Sequence, residues 1–124
     1  MSIQTVEIAG YYTLSATGIA LDQLPAEVVR KLPRYPVVPA ALLGRLAVAQ
    51  RWQGKGLGAA LLADAITRAT RAELGVFAII VDAKDDAAEH FYEHHGFRLL
   101  TGERRRSFLP AATALRALDR RSPD

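Results

Sequence analysis

The sequence predicts a mixed α/β fold in a single domain, and three observations support this prediction. The length of 124 residues suits one domain with its own hydrophobic core. Segments of strand-like composition alternate along the chain with segments of helical spacing. No internal repeat and no linker-like stretch interrupts this order. We therefore interpret residues 1–124 as one domain, with residues 111–124 as a peripheral tail.

The first half of the chain predicts two strands separated by a short helix. Residues 6–14 are rich in β-branched and aromatic side chains and roughly alternate in polarity, which is typical of a strand. Residues 24–31 predict a short helix with a proline in its first turn, where a missing N–H costs nothing. Residues 37–48 are largely apolar and predict a strand with an irregular, edge-like start, because Pro39 and Gly44 lie within it.

The second half of the chain adds helices and further strands. Apolar residues at helical spacing follow Gly58, and Gly75 ends this helix. Residues 76–81 form a continuous apolar run, which is typical of a strand covered on both faces. A second helix is predicted at residues 87–94. The remaining predictions are strands at 97–100 and 106–109 and helical character after Pro110.

Composition excludes several classes of function. The chain contains no cysteine, which excludes disulfides, thiolate zinc sites and cysteine nucleophiles and agrees with a cytoplasmic location. No apolar run approaches the roughly 20 residues of a membrane span, and the first residues do not resemble a signal peptide. The net charge of +3 suits a polyanionic ligand, either a phosphorylated cofactor or RNA, as well as an ordinary soluble protein.

Two histidines resemble a metal site only in their spacing. His90 and His94 lie four residues apart on one predicted helix face, as the ligands of zinc proteases do. Phe91 takes the position at which that motif requires a glutamate, and no third ligand is evident. We therefore expect no metal.

The segment after the second predicted strand contains three closely spaced glycines and leads into a helix. A helix start offers unpaired N–H groups and a partial positive charge, which suit an anion. Gly54, Gly56 and Gly58 allow consecutive amides to face one ligand, and Arg51 and Lys55 add positive charge. The spacing fits neither the dinucleotide-binding pattern nor the P-loop. The segment predicts a pyrophosphate site, with an ordinary tight turn as the alternative.

Two motifs in the right order resemble one family. The pattern RxxGxG at residues 51–56, directly after Arg-Leu-Ala-Val, resembles the acetyl-CoA signature of the GNAT N-acetyltransferase superfamily. The block DxxAxxFYxxxGF at residues 85–97 is similar to the helix and following strand of that family. The resemblance covers residues 8–109 and implies a GNAT-like fold without the family's usual first strand and helices. It also implies that the chain is an enzyme that uses acetyl-CoA.

The resemblance implies a set of residues around acetyl-CoA. Backbone groups of one strand would pair with the pantetheine arm, and the glycine loop would hold the pyrophosphate. Tyr92 would act as the general acid, because a phenol is protonated at neutral pH and can protonate the leaving thiolate. The residues implied to bind acetyl-CoA are Leu46, Ala47, Val48, Arg51, Gln53, Gly54, Lys55, Gly56, Leu57, Gly58, Ala59, Asp85, Ala88 and Phe91.

Two of these residues have a structural alternative. Asp85 takes the position of an asparagine that can hydrogen-bond pantetheine in relatives, but an ionised aspartate only accepts hydrogen bonds. Asp85 or Asp86 can instead cap the helix that follows, which is the interpretation we favour for Asp85. Phe91 is expected to pack in the core or against the cofactor.

One branch of the family fits more closely. GYYTL at 10–14, RLAV at 45–48, GKGLG at 54–58 and FYxHHGF at 91–97 resemble the acetyltransferase toxins of bacterial toxin–antitoxin operons. This resemblance implies acetylation of the α-amine of aminoacyl-tRNA. The alternatives are acetylation of a small-molecule or protein amine, and a non-catalytic acyl-CoA-binding module.

Basic residues suggest where RNA would bind. Salt-dependent phosphate contacts would come from two clusters, although a solvated surface is the alternative for each. These residues are Arg30, Lys31 and Arg34 around the first helix, and Arg104, Arg105 and Arg106 before the last strand. No general base is evident, which favours an α-amine acceptor because such amines titrate near neutrality.

The resemblance also implies an exposed sheet edge. Relatives carry a strand before the one predicted at residues 6–14, and an unpaired edge invites pairing. We expect a homodimer or a small antitoxin protein to cover this edge.

Overall fold

Five strands form one mixed sheet in the structure, a computed structural model that describes residues 9–30, 37–72 and 75–121. Helices α2, α3 and α4 pack on one face of the sheet, and the short helix α1 lies on the other. The elements in chain order are β1 (Gly10–Ala20), α1 (Ala26–Val29), β2 (Val37–Val48), α2 (Leu57–Thr70), β3 (Ala78–Asp82), α3 (Asp86–His94), β4 (Arg98–Leu99), β5 (Arg106–Pro110) and α4 (Ala111–Arg121). Single 3₁₀ turns occur at Leu21–Gln23 and Gln50–Trp52.

The sheet has the strand order β1-β2-β3-β5-β4. Strands β2 and β3 are parallel and are joined through α2, whereas the other neighbouring pairs are antiparallel. The mixed sheet predicted from the sequence is confirmed. Because β3 lies in the middle, its residues Ala78 to Val81 are all buried, as the continuous apolar run predicts.

A bulge and a divergence shape the middle of the sheet. The register between β1 and β2 shifts at Gly44, since Thr13 lies opposite Arg45 while Leu14 lies opposite Leu43. A Cβ on Gly44 would approach the Thr13 hydroxyl to 2.8 Å, so a larger residue fits poorly there. Strand β2 pairs with β3 only as far as Leu43. The last part of β2 therefore leaves β3 and opens a cleft between the two parallel strands.

Two apolar layers hold the sheet. On the face of α2, Leu62 and Ala65 pack against Ile79 of β3, and on the other face Ile19 packs with Ile80 and Phe108. Helix α4 belongs to the first layer, because Ala114 is 2 % exposed and lies in the same cluster. The segment after Pro110 thus contributes to the core, whereas the sequence predicts a peripheral tail.

Several boundaries differ from the predictions. Strand β1 continues to Ala20 rather than ending at residue 14, and the predicted start at residues 6–8 lies outside the described residues. Helix α1 is shorter than predicted, and α2 ends at Thr70, before Gly75. The strand predicted at 97–100 has only two residues. The irregularity predicted at the start of β2 occurs instead at Gly44.

Within residues 9–30, 37–72 and 75–121, no helix is both long enough and apolar enough to cross a bilayer.

Candidate active site

The divergence of β2 from β3 leaves a cleft of about 230 Å³. One wall comes from β1 and the end of β2, and the other from the end of β3 and from α3. Such a gap at the carboxyl ends of parallel strands is a usual place for a ligand in α/β folds. The cleft is lined by Tyr11, Gly44, Arg45, Leu46, Ala47, Asp82, Lys84, Ala88 and Tyr92.

Backbone groups on the β2 wall face the cleft at alternate residues. The Ala49 N–H donates to the Ala9 carbonyl oxygen at 2.7 Å, so Ala49 faces β1. Because this direction alternates in an antiparallel pair, Ala47 also faces β1, while Leu46 and Val48 turn their N–H and C=O groups toward the cleft. The Gln53 side chain donates to the Val48 carbonyl oxygen at 3.1 Å, which agrees with this direction. From the sequence, backbone contacts with pantetheine are expected for Leu46, Ala47 and Val48. In the structure the backbone N–H and C=O groups of Ala47 face β1, and only those of the other two face away from it.

The glycine loop ends in an open helix start. Gly56 is the N-cap of α2 with φ +82°, and Gly54 has φ +77°, so both occupy the left-handed region that favours glycine. No side chain caps α2, and a Cβ on either glycine would meet nothing within 4 Å. The first amides of α2 are therefore available to an anion.

A second pocket of about 280 Å³ lies over this loop. Its lining joins the loop to the end of β2 and to α3, since it includes Val48, Gly58 and Phe91. A Cβ on Gly58 would lie 3.8 Å from the Phe91 ring, so the loop and α3 pack closely. Phe91 thus forms a wall of this pocket, and the remaining lining residues are Trp52, Gln53, Gly54, Gly56 and Ala59.

Lys55 and Arg51, which were predicted to add positive charge to the pyrophosphate site, lie on the exposed side of the glycine loop. The Lys55 ammonium lies 5.3 Å from the centre of the Trp52 ring, which holds this charge beside the pocket through a cation–π contact. Arg51 is exposed and interacts with another part of the chain.

Tyr92 lies on α3 and is 7 % exposed. Its ring makes edge contacts with Phe91 and Phe97, at centroid distances of 5.4 and 5.6 Å, and these contacts restrict the orientation of a side chain that lines the cleft. Burial, and to a smaller extent the negative charge of Asp82, raise the pKa of Tyr92 above 10.0. The phenol is therefore protonated at neutral pH, as a general acid requires.

Asp85 is the N-cap of α3. Its carboxylate accepts a hydrogen bond from the Ala88 N–H at 2.8 Å. The helix-cap interpretation of Asp85 is confirmed. This bond also fixes Ala88, which lines the cleft one turn before Tyr92.

The structure adds charged residues to the cleft that the sequence did not reveal. Asp82 is the last residue of β3 and lies opposite Arg106 of β5. The Arg106 Nε donates to Asp82 Oδ1 at 2.7 Å, and its Nη2 donates to Oδ2 at 2.8 Å. Arg45 and Lys84 line the same cleft. For Asp82 and Lys84, the position at or just beyond the end of β3 was the available signal.

Comparison with known proteins identifies the family. Residues 39–112 match the family model described as an acetyltransferase (GNAT) domain. The chain belongs to the GNAT acetyltransferase family. The GNAT fold predicted from the sequence is thereby confirmed.

Individual GNAT relatives resemble the chain over most of its length. A tRNA-acetylating toxin of Mycobacterium tuberculosis is 42% identical over 94 residues, which cover 74% of this chain and 55% of that protein. The structure of AtaT complexed with acetyl-methionyl-tRNAfMet has a TM-score of 0.79 and 33% identity, covering 89% of this chain and 66% of AtaT. A tyrosine-to-phenylalanine mutant of AtaT, bound to the C-terminus of the antitoxin AtaR and acetyl-CoA, has a TM-score of 0.72 and 30% identity and covers 90% of this chain and 65% of that one. The chain thus spans just over half the length of the curated relative.

The basic residues of this GNAT domain differ in their surroundings. Arg30 and Arg104 are exposed. The Arg105 guanidinium lies 2.7 Å from Asp86 on α3, and Arg106 holds Asp82, so both have partners within the chain. Lys31 and Arg34 lie outside the described residues.

Metal-ligating side chains do not cluster in the described part of the chain. No group of three histidine, aspartate or glutamate residues within 9–30, 37–72 and 75–121 could hold a metal ion.

Proposed function

We propose that this chain transfers an acetyl group from acetyl-CoA to a primary amine, and that the acceptor is the α-amine of an aminoacyl-tRNA. The observation that carries the proposal is the cleft between β2 and β3, which has backbone groups of Leu46 that face away from β1 on one wall and the Tyr92 phenol on the other. The open start of α2 beside it suits a diphosphate.

The residues present fit acetyl-CoA. The open space over Gly54 and Gly56 and the uncapped amides of α2 would hold the pyrophosphate, with Lys55 beside them. The backbone of Leu46 and Val48 would hold the pantetheine arm as an added strand. When bound, acetyl-CoA supplies an activated acetyl thioester. Tyr92 then provides the proton that the departing sulfur needs, and its burial keeps that proton in place at neutral pH.

The names of the relatives support the acceptor and the biological role. The relative from Mycobacterium tuberculosis is a tRNA-acetylating toxin, and AtaT has been solved with an acetylated aminoacyl-tRNA and with part of its antitoxin. We therefore propose that this chain acts as the toxin of a cytoplasmic toxin–antitoxin pair. Strand β1 is at the edge of the described sheet, and an antitoxin or a second copy of the chain would cover it.

Two measurements test the proposed function. Acetyl-CoA at a hundredfold excess over its Kd should stabilise the fold by about 2.7 kcal/mol, seen as a rise in Tm. Radiolabelled acetyl transfer should then occur to charged tRNA and not to the same tRNA after deacylation. Transfer to free lysine or to protein amines at an equal rate would contradict the aminoacyl-tRNA acceptor. A rise in Tm without transfer to any amine would indicate a binding module.

Neutralising Arg30 and Arg104 together is expected to weaken tRNA binding in a salt-dependent way. For each arginine that binds a phosphate, its removal should reduce the slope of log K against log salt by about 0.7 to 0.9. The measurement is the Kd for charged tRNA across a salt series in the Arg30→Gln/Arg104→Gln variant. Arg71→Gln, which removes an exposed charge at the far end of α2, is the control. An unchanged slope would remove both arginines from the RNA surface.

A further inference from the structure

Among the described residues that line the cleft, one is acidic and two are basic. Asp82 is the carboxylate of the cleft lining, and its side chain is 46 % exposed, so it can reach a ligand. Arg45 and Lys84 line the same cleft and carry the opposite charge. The sequence shows no residue that would receive the acceptor amine, whereas the structure places this carboxylate in the same cleft as Tyr92 and Leu46.

We propose that Asp82 is the binding site of the acceptor's amino group, and that Arg106 positions Asp82 for this role. This proposal rests on the proposed acetyl transfer. Asp82 ends β3 at the point where β2 has left the sheet, so its carboxylate lies at the strand end where the cleft opens. An amine held there lies between the Leu46 wall and the Tyr92 wall, which is where the thioester is expected.

The hydrogen bonds to Arg106 leave room for the amine. The two bonds, at 2.7 and 2.8 Å, take one lone pair on each oxygen of Asp82. A carboxylate has about four lone-pair sites, so each oxygen can accept a further N–H. The paired geometry also fixes the direction of these free sites, because a bidentate arginine orients a carboxylate in its own plane.

Arg106 also reduces the effect of the Asp82 charge on the protonation of a bound amine. An unpaired carboxylate favours the protonated form of a neighbouring amine, and an ammonium group has no lone pair with which to attack. The Arg106 charge offsets that of Asp82, so the pair can orient the amine N–H groups without holding the amine as ammonium. This pairing distinguishes an acceptor site from a simple cation site.

The proton balance of the transfer agrees with this placement. The amine nitrogen forms the new C–N bond, and the C–S bond breaks with its electron pair on sulfur. Sulfur takes a proton from Tyr92, while the proton that leaves nitrogen passes through the Asp82 carboxylate to water. Tyr92 regains a proton from water, so no proton is gained or lost overall. Asp82 and Tyr92 line the same cleft, and the Asp82 charge is the smaller of the two causes that raise the pKa of Tyr92.

Equilibrium binding of a small amine tests the site without requiring catalysis. The probe is methioninamide, compared with the same amide lacking its amino group, and binding is followed by NMR titration of the full chain. Asp82→Asn should weaken methioninamide binding by about tenfold, the loss expected for a hydrogen bond to a charged group at an exposed site, and should leave the amine-free analogue unchanged. A wild-type chain that does not prefer the amine, or a variant with unchanged affinity, would overturn the proposal.

Asp64→Asn is the matched control. Asp64 is also an aspartate that accepts a hydrogen bond from an arginine Nε, at 2.9 Å from Arg68, and its side chain is 50 % exposed. It lies on α2 and does not line the cleft. This variant should bind methioninamide as the wild type does, and Tm is measured for both variants. An equal loss in Asp64→Asn would assign the effect to charge in general and would overturn the proposal.

Kinetics separate the failure of this proposal from the failure of the proposed function. Asp82→Asn should raise the KM for charged tRNA and leave the KM for acetyl-CoA unchanged. If the wild type transfers acetyl groups and Asp82→Asn has an unchanged KM for charged tRNA, the amine site is refuted and the acetyltransferase function is not. If the chain binds methioninamide through Asp82 but transfers no acetyl group, the acetyltransferase function is refuted and the amine site is supported.

The positioning role of Arg106 has its own readout. Asp82 shares the cleft lining with Arg45 from β2, Lys84 from the loop after β3 and Tyr92 from α3, and it accepts hydrogen bonds from Arg106 of β5. In Arg106→Gln the carboxylate is left without its partner, so the amino group of bound methioninamide should titrate at a pKa higher by about one unit, as NMR can observe. Arg106→Lys should restore the wild-type value. An unchanged titration in Arg106→Gln would show that Arg106 only stabilises the sheet.

Discussion

Tyr92→Phe is expected to lower kcat for acetyl transfer by about 100-fold or more, the contribution typical of a general acid. The substitution removes one oxygen from a ring that keeps its edge contacts with Phe91 and Phe97. The fold and the glycine loop should therefore remain intact, and acetyl-CoA should bind with unchanged Kd. The measurement is kcat by radiolabelled transfer, with Kd by calorimetry.

The pH dependence gives a second signature of Tyr92. Its pKa is raised above 10.0 in the folded chain, so the phenol remains a proton donor up to that pH and loses this role only as pH rises through the raised pKa. The same sign applies to stability, because the folded state holds the proton more tightly than the unfolded state. The contribution of Tyr92 to the free energy of unfolding is fully present below pH 10 and is lost as pH rises through the raised pKa of the folded state. The wild type is expected to lose kcat as pH rises through this raised pKa, and Tyr92→Phe should abolish that alkaline decline.

Tyr12→Phe is the control for Tyr92. Tyr12 also has a raised pKa, caused by burial and by its hydrogen bond to Asp64, but it lies against α2 and outside the cleft. Its loss should leave kcat within about twofold of wild type, since its hydroxyl donates to Asp64 on α2 and its side chain does not line the cleft. An equal fall in kcat for both tyrosines, or an unchanged kcat for Tyr92→Phe, would exclude Tyr92 as the acid.

The sequence predicts those parts of the site that depend on local chain geometry. The glycine loop, the start of α2 and the Asp85 cap each involve residues within a few positions of one another, and the structure places them as expected. Strand β2 has its predicted bounds because the segment from Val37 to Val48 is largely apolar, with Arg45 as its one charged residue. Local patterns carry this information because caps and turns are determined by their own residues.

The parts that the sequence does not predict depend on distant partners. The cleft exists because β2 leaves β3 after Leu43, and that divergence is visible only once the two strands are paired. Asp82 and Arg106 are 24 residues apart and meet across β3 and β5, so neither has a local signal. The sequence predicts a peripheral α4 because nothing in that segment shows that Ala114 packs within the core formed with α2. Pairing between distant segments, rather than propensity, determines these features.

Gly56→Ala is expected to weaken acetyl-CoA binding by at least about tenfold, or ~1.4 kcal/mol. Gly56 has φ +82° at the start of α2 and lines the pocket over the loop. A methyl group there projects toward the space where the amides would meet a diphosphate, and alanine strains the left-handed backbone that aims those amides. The strain should also lower the free energy of unfolding by about 1–2 kcal/mol. Calorimetry with acetyl-CoA and urea unfolding measure the two effects.

Gly102→Ala separates backbone strain from ligand binding. Gly102 also has φ +82°, and a Cβ there would likewise meet nothing within 4 Å, but it lies in the turn between β4 and β5. Both variants should therefore lose similar stability, because the conformational cost of alanine is the same. Only Gly56→Ala should lose affinity for acetyl-CoA, since only its amides face the ligand. Equal Kd values in the two variants would mean that the start of α2 does not hold the pyrophosphate. The pyrophosphate site would then not explain how the thioester is placed beside Tyr92.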